Sequence, residues 1–234
     1  FRRVRIGVGH PGDKNQVESR GVSLLGEWSA SDSLTFKSIS AYRAGETAGE
    51  IDFDTLPAPY LDIPARYSDH QFTQELQLLY SGDRVQAVGG LFYLNATAAG
   101  AFDTVLSQAA LTIATAGHVD TESWSAFADV SFDLTEALTL SVGGRYTRDE
   151  KTGVVYRQNF TGIRSPLFGN PLAVPGLVRS DFTSTDSYEK FTPRVSASYD
   201  FGSELTGYAS YSQGFKSGGF DMRADAILTP TSRD

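Results

Sequence analysis

The chain has 234 residues, a formal net charge of −8 and no cysteine, beside 23 glycines, 11 tyrosines, 15 phenylalanines and a single methionine. Without cysteine, a disulfide scaffold, a thiolate metal centre and a cysteine nucleophile are excluded, and the acidic balance argues against nucleic acid, whose binders carry a basic footprint. Aromatic and glycine enrichment with scarce Met favours pleated sheet over helix, and no apolar run approaches the roughly 18 residues of a transmembrane helix.

In chain order, Gly7-Val8-Gly9-His10-Pro11-Gly12 fits G-x-G-x-x-G. Pro11 interrupts it and no helical pattern follows, so it reads as a loop rather than a dinucleotide fingerprint. Period-2 alternation then predicts strands in pairs. Val22–Trp28 and Leu34–Tyr42 join through Ala30–Ser33. Phe72–Tyr80 and Val85–Leu94 join through Ser81-Gly82-Asp83, although Val85–Leu94 is apolar at both parities and assigns no face. Ala126–Leu134 and Leu138–Thr147 join through Thr135-Glu136-Ala137, and Phe191–Tyr199 and Leu205–Gln213 join through Asp200–Glu204. About eight strands of roughly nine to twelve residues suit a tilted membrane crossing. The tight turns alternate with three long segments, Ala44–Asp69, Asn95–Thr121 and Glu150–Glu189, which read as loops. In the second of these, Val105, Leu106, Ala109, Ala110 and Ile113 fall at helical spacing, so Val105–Ala116 is expected to form a short helix.

Alternation of short and long connections is the pattern of an antiparallel up-and-down transmembrane barrel, with turns on one rim and loops on the other. The clear strands have one apolar parity, expected to face lipid through Leu76, Leu78, Val130, Phe132, Leu140, Val142, Val195 and Ala197. The other parity carries Glu75, Gln77, Asp129, Arg145 and Arg194, the candidates for a lumen. Trp28, Tyr42, Tyr80, Trp124, Tyr146 and Tyr199 near strand ends suit a lipid–water boundary. A soluble sandwich whose rim is capped by aromatics would share part of this pattern.

Enzyme chemistry finds no support. His10, His70 and His118 lie far apart and form no metal-binding pair, and no G-x-S-x-G elbow is present. Glu50, Asp52 and Asp54 alternate without the spacing of a calcium loop and read as a solvated acidic segment. No catalytic residue, cofactor or metal site is expected.

Four stretches resemble barrel strands of the TonB-dependent outer-membrane receptors: Phe72-Thr73-Gln74-Glu75-Leu76-Gln77-Leu78, Gly144-Arg145-Tyr146-Thr147-Arg148-Asp149-Glu150-Lys151, Pro193–Tyr199, and Tyr208–Asp221. The last contains Gly214-Phe215-Lys216-Ser217-Gly218-Gly219-Phe220 and is similar to a signature of the iron-complex receptor branch. The resemblance runs from about Val22 to Asp221. It implies a 22-stranded barrel filled by an N-terminal plug, of which residues 1–234 would be a middle section lacking the plug and the C-terminal strands. It further implies import of a ferric siderophore, or another scarce nutrient such as cobalamin or a glycan, across the outer membrane of a Gram-negative bacterium. Outer-membrane lipid and TonB would be the partners, TonB acting through the missing N-terminal part. Within the signature, Gly214, Gly218 and Gly219 permit close backbone approach, while Phe215 and Phe220 would sit at the outer rim and Lys216 would face water or the lumen. Two other classes stay open: a complete eight-stranded outer-membrane barrel used as an anchor or adhesin, and a soluble lipocalin-like carrier.

Overall fold

The computed structural model describes residues 15–54, 60–202 and 204–225; the glycine motif at Gly7–Gly12, with His10, lies outside them. They form one antiparallel sheet whose strands neighbour each other in chain order: β1 (Gln16–Ser31), β2 (Leu34–Asp52), β3 (Leu61–Ser81), β4 (Val85–Leu106), β5 (Leu111–Asp133), β6 (Leu138–Thr161), β7 (Val174–Asp200) and β8 (Thr206–Ser212). Among the described residues β1 and β8 are the two edges of the sheet.

The four predicted turns lie together on one rim. Their backbones are stitched to each other: Ser81 N donates to Ser33 O (2.8 Å), Asp133 N to Arg84 O (2.9 Å) and Asp200 N to Ala137 O (2.9 Å). Thr135 closes its turn by accepting from the amides of Ala137 and Leu138 at 3.2 and 3.0 Å, the side-chain mimicry that makes Thr a turn residue.

The strands are longer than the sequence pattern predicts. The expected loops Ala44–Asp69, Asn95–Thr121 and Glu150–Glu189 are mostly ladder: β2 pairs with β3 as far as Asp52↔Asp62, and β5 with β6 as far as Leu111↔Thr161. The predicted helix over Val105–Ala116 does not form. Residues Ser107–Ala109 make one 3-10 turn, Ala110 takes the left-handed conformation at φ 47°, and β4 pairs with β5 up to Leu106↔Leu111. Cross-strand pairing outweighed local helical spacing there, because every residue on both sides of the turn finds a ladder partner.

Register fixes the two faces, since paired residues point the same way. Leu76, Leu78, Val130, Phe132, Leu140, Val142, Val195 and Ala197 share one face. Glu75, Gln77, Asp129, Arg145 and Arg194 share the other. On the apolar face aromatic rings form two belts. Trp28, Phe36, Tyr80, Phe132 and Tyr199 lie toward the turn rim; Tyr42, Phe72, Tyr93, Trp124, Tyr146 and Phe191 lie above them. Trp28 stacks on Phe36 at 5.5 Å, and Trp124 meets Tyr146 at 5.6 Å. The pairs Phe72/Tyr80, Trp124/Phe132 and Phe191/Tyr199 are each eight residues apart along one strand. Eight residues span about 27 Å along a strand, or about 21 Å in height at a tilt of about 40°, close to the about 25 Å apolar band of an outer-membrane barrel.

Above the upper belt this same face turns polar, with Glu46, Arg66, Asn95, Glu122, Arg148, Glu150 and Glu189 in register. With both faces polar, the period-2 hydrophobic signal disappears although the backbone ladder continues. That is why the strand extensions read as loops.

Candidate functional site

The charged face carries ion pairs and hydrogen bonds within and between strands, and two of its contacts depend on glycines. Glu27 and Lys37 are direct partners in β1 and β2 and form an ion pair at 2.9 Å. Gln77 donates to Glu75 at 2.5 Å. Asp129 on β5 and Arg194 on β7 meet at 3.7 Å across the intervening strand. They do so because Gly143 lies between them in register; a Cβ there would stand 2.9 Å from the Asp129 carboxyl carbon and from Ala128 O. Arg145 lies over the rings of Phe92 and Phe127, 5.3 and 5.7 Å from their centroids, an arrangement that holds a guanidinium by its attraction to the ring faces. Phe127 in turn covers Gly90, whose added Cβ would meet the ring at 2.6 Å and Leu76 O at 2.5 Å. These contacts explain why β4 is apolar at both parities: Phe92 supports a cation, and Val85, Ala87, Gly89 and Leu91 belong to the apolar face.

The family-motif residues divide between the faces. Glu75 and Arg145 lie on the charged face, whereas Phe72, Gln74, Leu76, Gly144 and Tyr146 lie on the apolar one. Gln74 is a polar group within the apolar band, and its neighbours satisfy it. It accepts from Ser40 Oγ at 2.5 Å and donates to Ser38 Oγ at 3.0 Å and Glu75 O at 3.2 Å, which satisfies the amide on an otherwise apolar face. Phe191 packs over Gly144, whose Cβ would lie 2.5 Å from the ring, and the Tyr146 hydroxyl donates to Glu189.

The Gly214–Phe220 motif leaves the sheet. Gln213 N donates to Pro193 O at 3.1 Å as the last bond of the β7–β8 ladder. Residue 193 is a proline with no N–H to return, so pairing stops. The chain then folds across the charged face. Lys151 Nζ donates to Gly218 O at 2.8 Å, and Phe220 packs on Gly153. Phe220 thus lies on the charged face, beyond the upper aromatic belt. Phe215 is half-buried and Lys216 exposed.

Sequence reasoning missed the residues that receive this segment: Gly100, Gly117, Gly153, Arg157, Arg179 and Ser180. The available signal was glycine inside strand interiors, which marks close approach by another chain segment.

Further charged groups lie beyond the upper aromatic belt, on the side away from the turns. Asp54 accepts from the amides of Tyr60 and Leu61 at 2.9 and 2.6 Å, so part of the acidic Glu50–Asp54 stretch serves the β2–β3 connection. Asp103 is 1% exposed, and burial pushes its carboxyl up to about 6 against the opposing pull of Arg164, whose Nε is 3.7 Å away. His118 lies 3.6 Å from Asp120. Among the described residues no group of three or more His, Asp or Glu side chains is placed to hold a metal ion.

Comparison with known proteins gives one family and one fold. The family model described as "TonB dependent receptor-like, beta-barrel" matches residues 3–232. No curated protein matches the sequence. Among solved structures, the chain is similar to the ferric yersiniabactin uptake receptor FyuA from Yersinia pestis, with a TM-score of 0.66 and 21% identity. The match covers 90% of this chain and 30% of FyuA, so the chain spans about a third of that receptor's length.

Proposed function

As the chain belongs to the TonB-dependent receptor β-barrel family, we propose that it forms part of the wall of an outer-membrane receptor importing a ferric siderophore or similar iron complex. The observation that carries this reading is the two-faced sheet: one face has an apolar band between aromatic belts, and the other has charges held in register. The first face meets outer-membrane lipid. The second, with Glu75, Gln77, Asp129, Arg145 and Arg194, lines the lumen. Residues 1–234 are then a partial barrel domain; further strands pair with β1 and β8, and a plug with its TonB-binding segment lies elsewhere in the protein. The free edges support this, because unpaired N–H and C=O groups in hydrocarbon cost several kcal/mol each. An eight-stranded closed barrel would instead require β1 to pair with β8, and the described strands run β1 to β8 without that closure.

The iron-complex assignment rests on the Gly214–Phe220 resemblance. It is tested by expressing the receptor that contains this chain in a Gram-negative host stripped of its own iron receptors. Uptake of iron-55 from a panel of ferric siderophores is measured with and without TonB. TonB-dependent uptake of at least one ferric complex is expected. TonB-dependent uptake of cobalamin or an oligosaccharide in place of every iron complex would overturn the substrate class.

A further inference from the structure

Residues Gly214–Asp225 lie across four strands of the charged face, β4 to β7, without joining the sheet. Gly100, Gly117 and Gly153 belong to β4, β5 and β6, and register places them side by side on that face: Gly100 opposite Gly117, and Gly117 opposite Val155, the neighbour but one of Gly153. Their missing side chains leave a trough of bare backbone. Phe220 fills it at Gly153, and Met222, the single methionine of the chain, places its methyl group 3.4 and 3.6 Å from where the Cβ atoms of Gly117 and Gly100 would be. Val155, on the same face beside the trough, is fully buried. Gly218 lies against Tyr188, whose hydroxyl would be 2.6 Å from an added Cβ.

The ties are made by side chains. Lys151 Nζ donates to Gly218 O (2.8 Å), Arg157 Nη1 to Arg223 O (2.7 Å) and Ser180 Oγ to Ala224 O (2.7 Å). The end is pinned by Asp225, buried and bound by Arg179, with Arg157 at 3.8 Å. After Gln213 no backbone–backbone hydrogen bond joins the segment to the sheet among the described residues. Separating a strand from a ladder breaks a cooperative row of backbone bonds. Among the described residues this segment is held by side-chain donors, the Arg179 and Arg157 contacts of Asp225 and two apolar contacts, which places it at the low end of local stability.

We propose that Gly214–Asp225 is an interior strap, seated in the glycine trough, that narrows the passage along the charged face and opens as a unit when its Asp225 anchor is released. Calling that passage the lumen rests on the function proposed above; the seating of the strap does not.

The test uses the receptor that contains this chain, in outer-membrane vesicles. This chain supplies no native cysteine, so Met222→Cys and Lys216→Cys each introduce its single thiol. Reaction with a polar maleimide is timed for both, and folding is checked by heat-modifiable migration. Met222→Cys is expected to react at least about ten-fold more slowly than the exposed Lys216→Cys. Adding Asp225→Asn, or separately Gly153→Val, to Met222→Cys should bring its rate within about two-fold of Lys216→Cys, because a charged anchor or the Phe220 seat is lost. Equal rates in the parent proteins would show that the strap is not seated. Continued protection in both double variants would show that other forces hold it. Either result overturns the proposal and leaves the face assignment to be judged by separate charge substitutions.

Discussion

A charge placed midway between the aromatic belts tests which face meets lipid. Val142 lies four residues from Leu138 and four from Tyr146 on β6, about 13 Å along the strand from each. It is paired with Val130 and Val195 and is 58% exposed in the isolated sheet. If this face is buried in lipid, Val142→Arg puts a guanidinium near the bilayer midplane at a cost of about 2–4 kcal/mol. The matched control is Val88→Arg on the charged face, where residue 88 pairs with Asp129. There the new cation finds a carboxylate and water, and the change should stay within about 1 kcal/mol. Urea unfolding in lipid vesicles, followed by the heat-modifiable gel shift, gives both numbers. A Val142→Arg protein as stable as the parent, or a Val88→Arg protein destabilised as much as Val142→Arg, would refute the assignment of faces.

Three further outcomes are expected. Gly90→Val drives a Cβ against Leu76 O at 2.5 Å and displaces Phe127 from Arg145; a loss of about 1–3 kcal/mol should appear as a lower urea midpoint, and an unchanged midpoint would show that the Phe127 seat is not tight. Pro193→Ala restores an N–H facing Gln213, so the residue 193 amide should exchange about ten-fold more slowly than a free surface amide; free exchange would mean the ladder ends for another reason. Asp103 has a folded pKa of about 6 against an ordinary 3.8, so its stabilising contribution is fully present below about pH 4 and lost as pH rises through about 6. The loss is on the order of 3 kcal/mol at most. Amide exchange in the Asp103–Thr112 region should quicken over that window, and Asp103→Asn should flatten the dependence.

Much of the membrane-crossing part was legible from side-chain alternation alone. Leu138, Leu140, Val142, Gly144 and Tyr146 alternate with Thr139, Ser141, Gly143 and Arg145 because each parity meets a different surrounding. The turns were legible because Gly202, at φ 144°, and the Thr135 hydroxyl solve local backbone problems. The extensions beyond the belts, such as Glu150–Thr161, were not, since polar residues there lie on both faces and leave no alternation. The helical spacing of Val105–Ile113 misled for a related reason: local periodicity carries no information about ladder partners such as Val105↔Thr112 and Leu106↔Leu111. Face assignment within β4 required the register, because Phe92 is apolar yet sits under Arg145. The strap was decided by tertiary structure alone. Pro193, Gly100, Gly117, Gly153 and Met222 are far apart in sequence, and only the strand order brings a proline that ends one ladder beside a glycine trough that accepts the released chain.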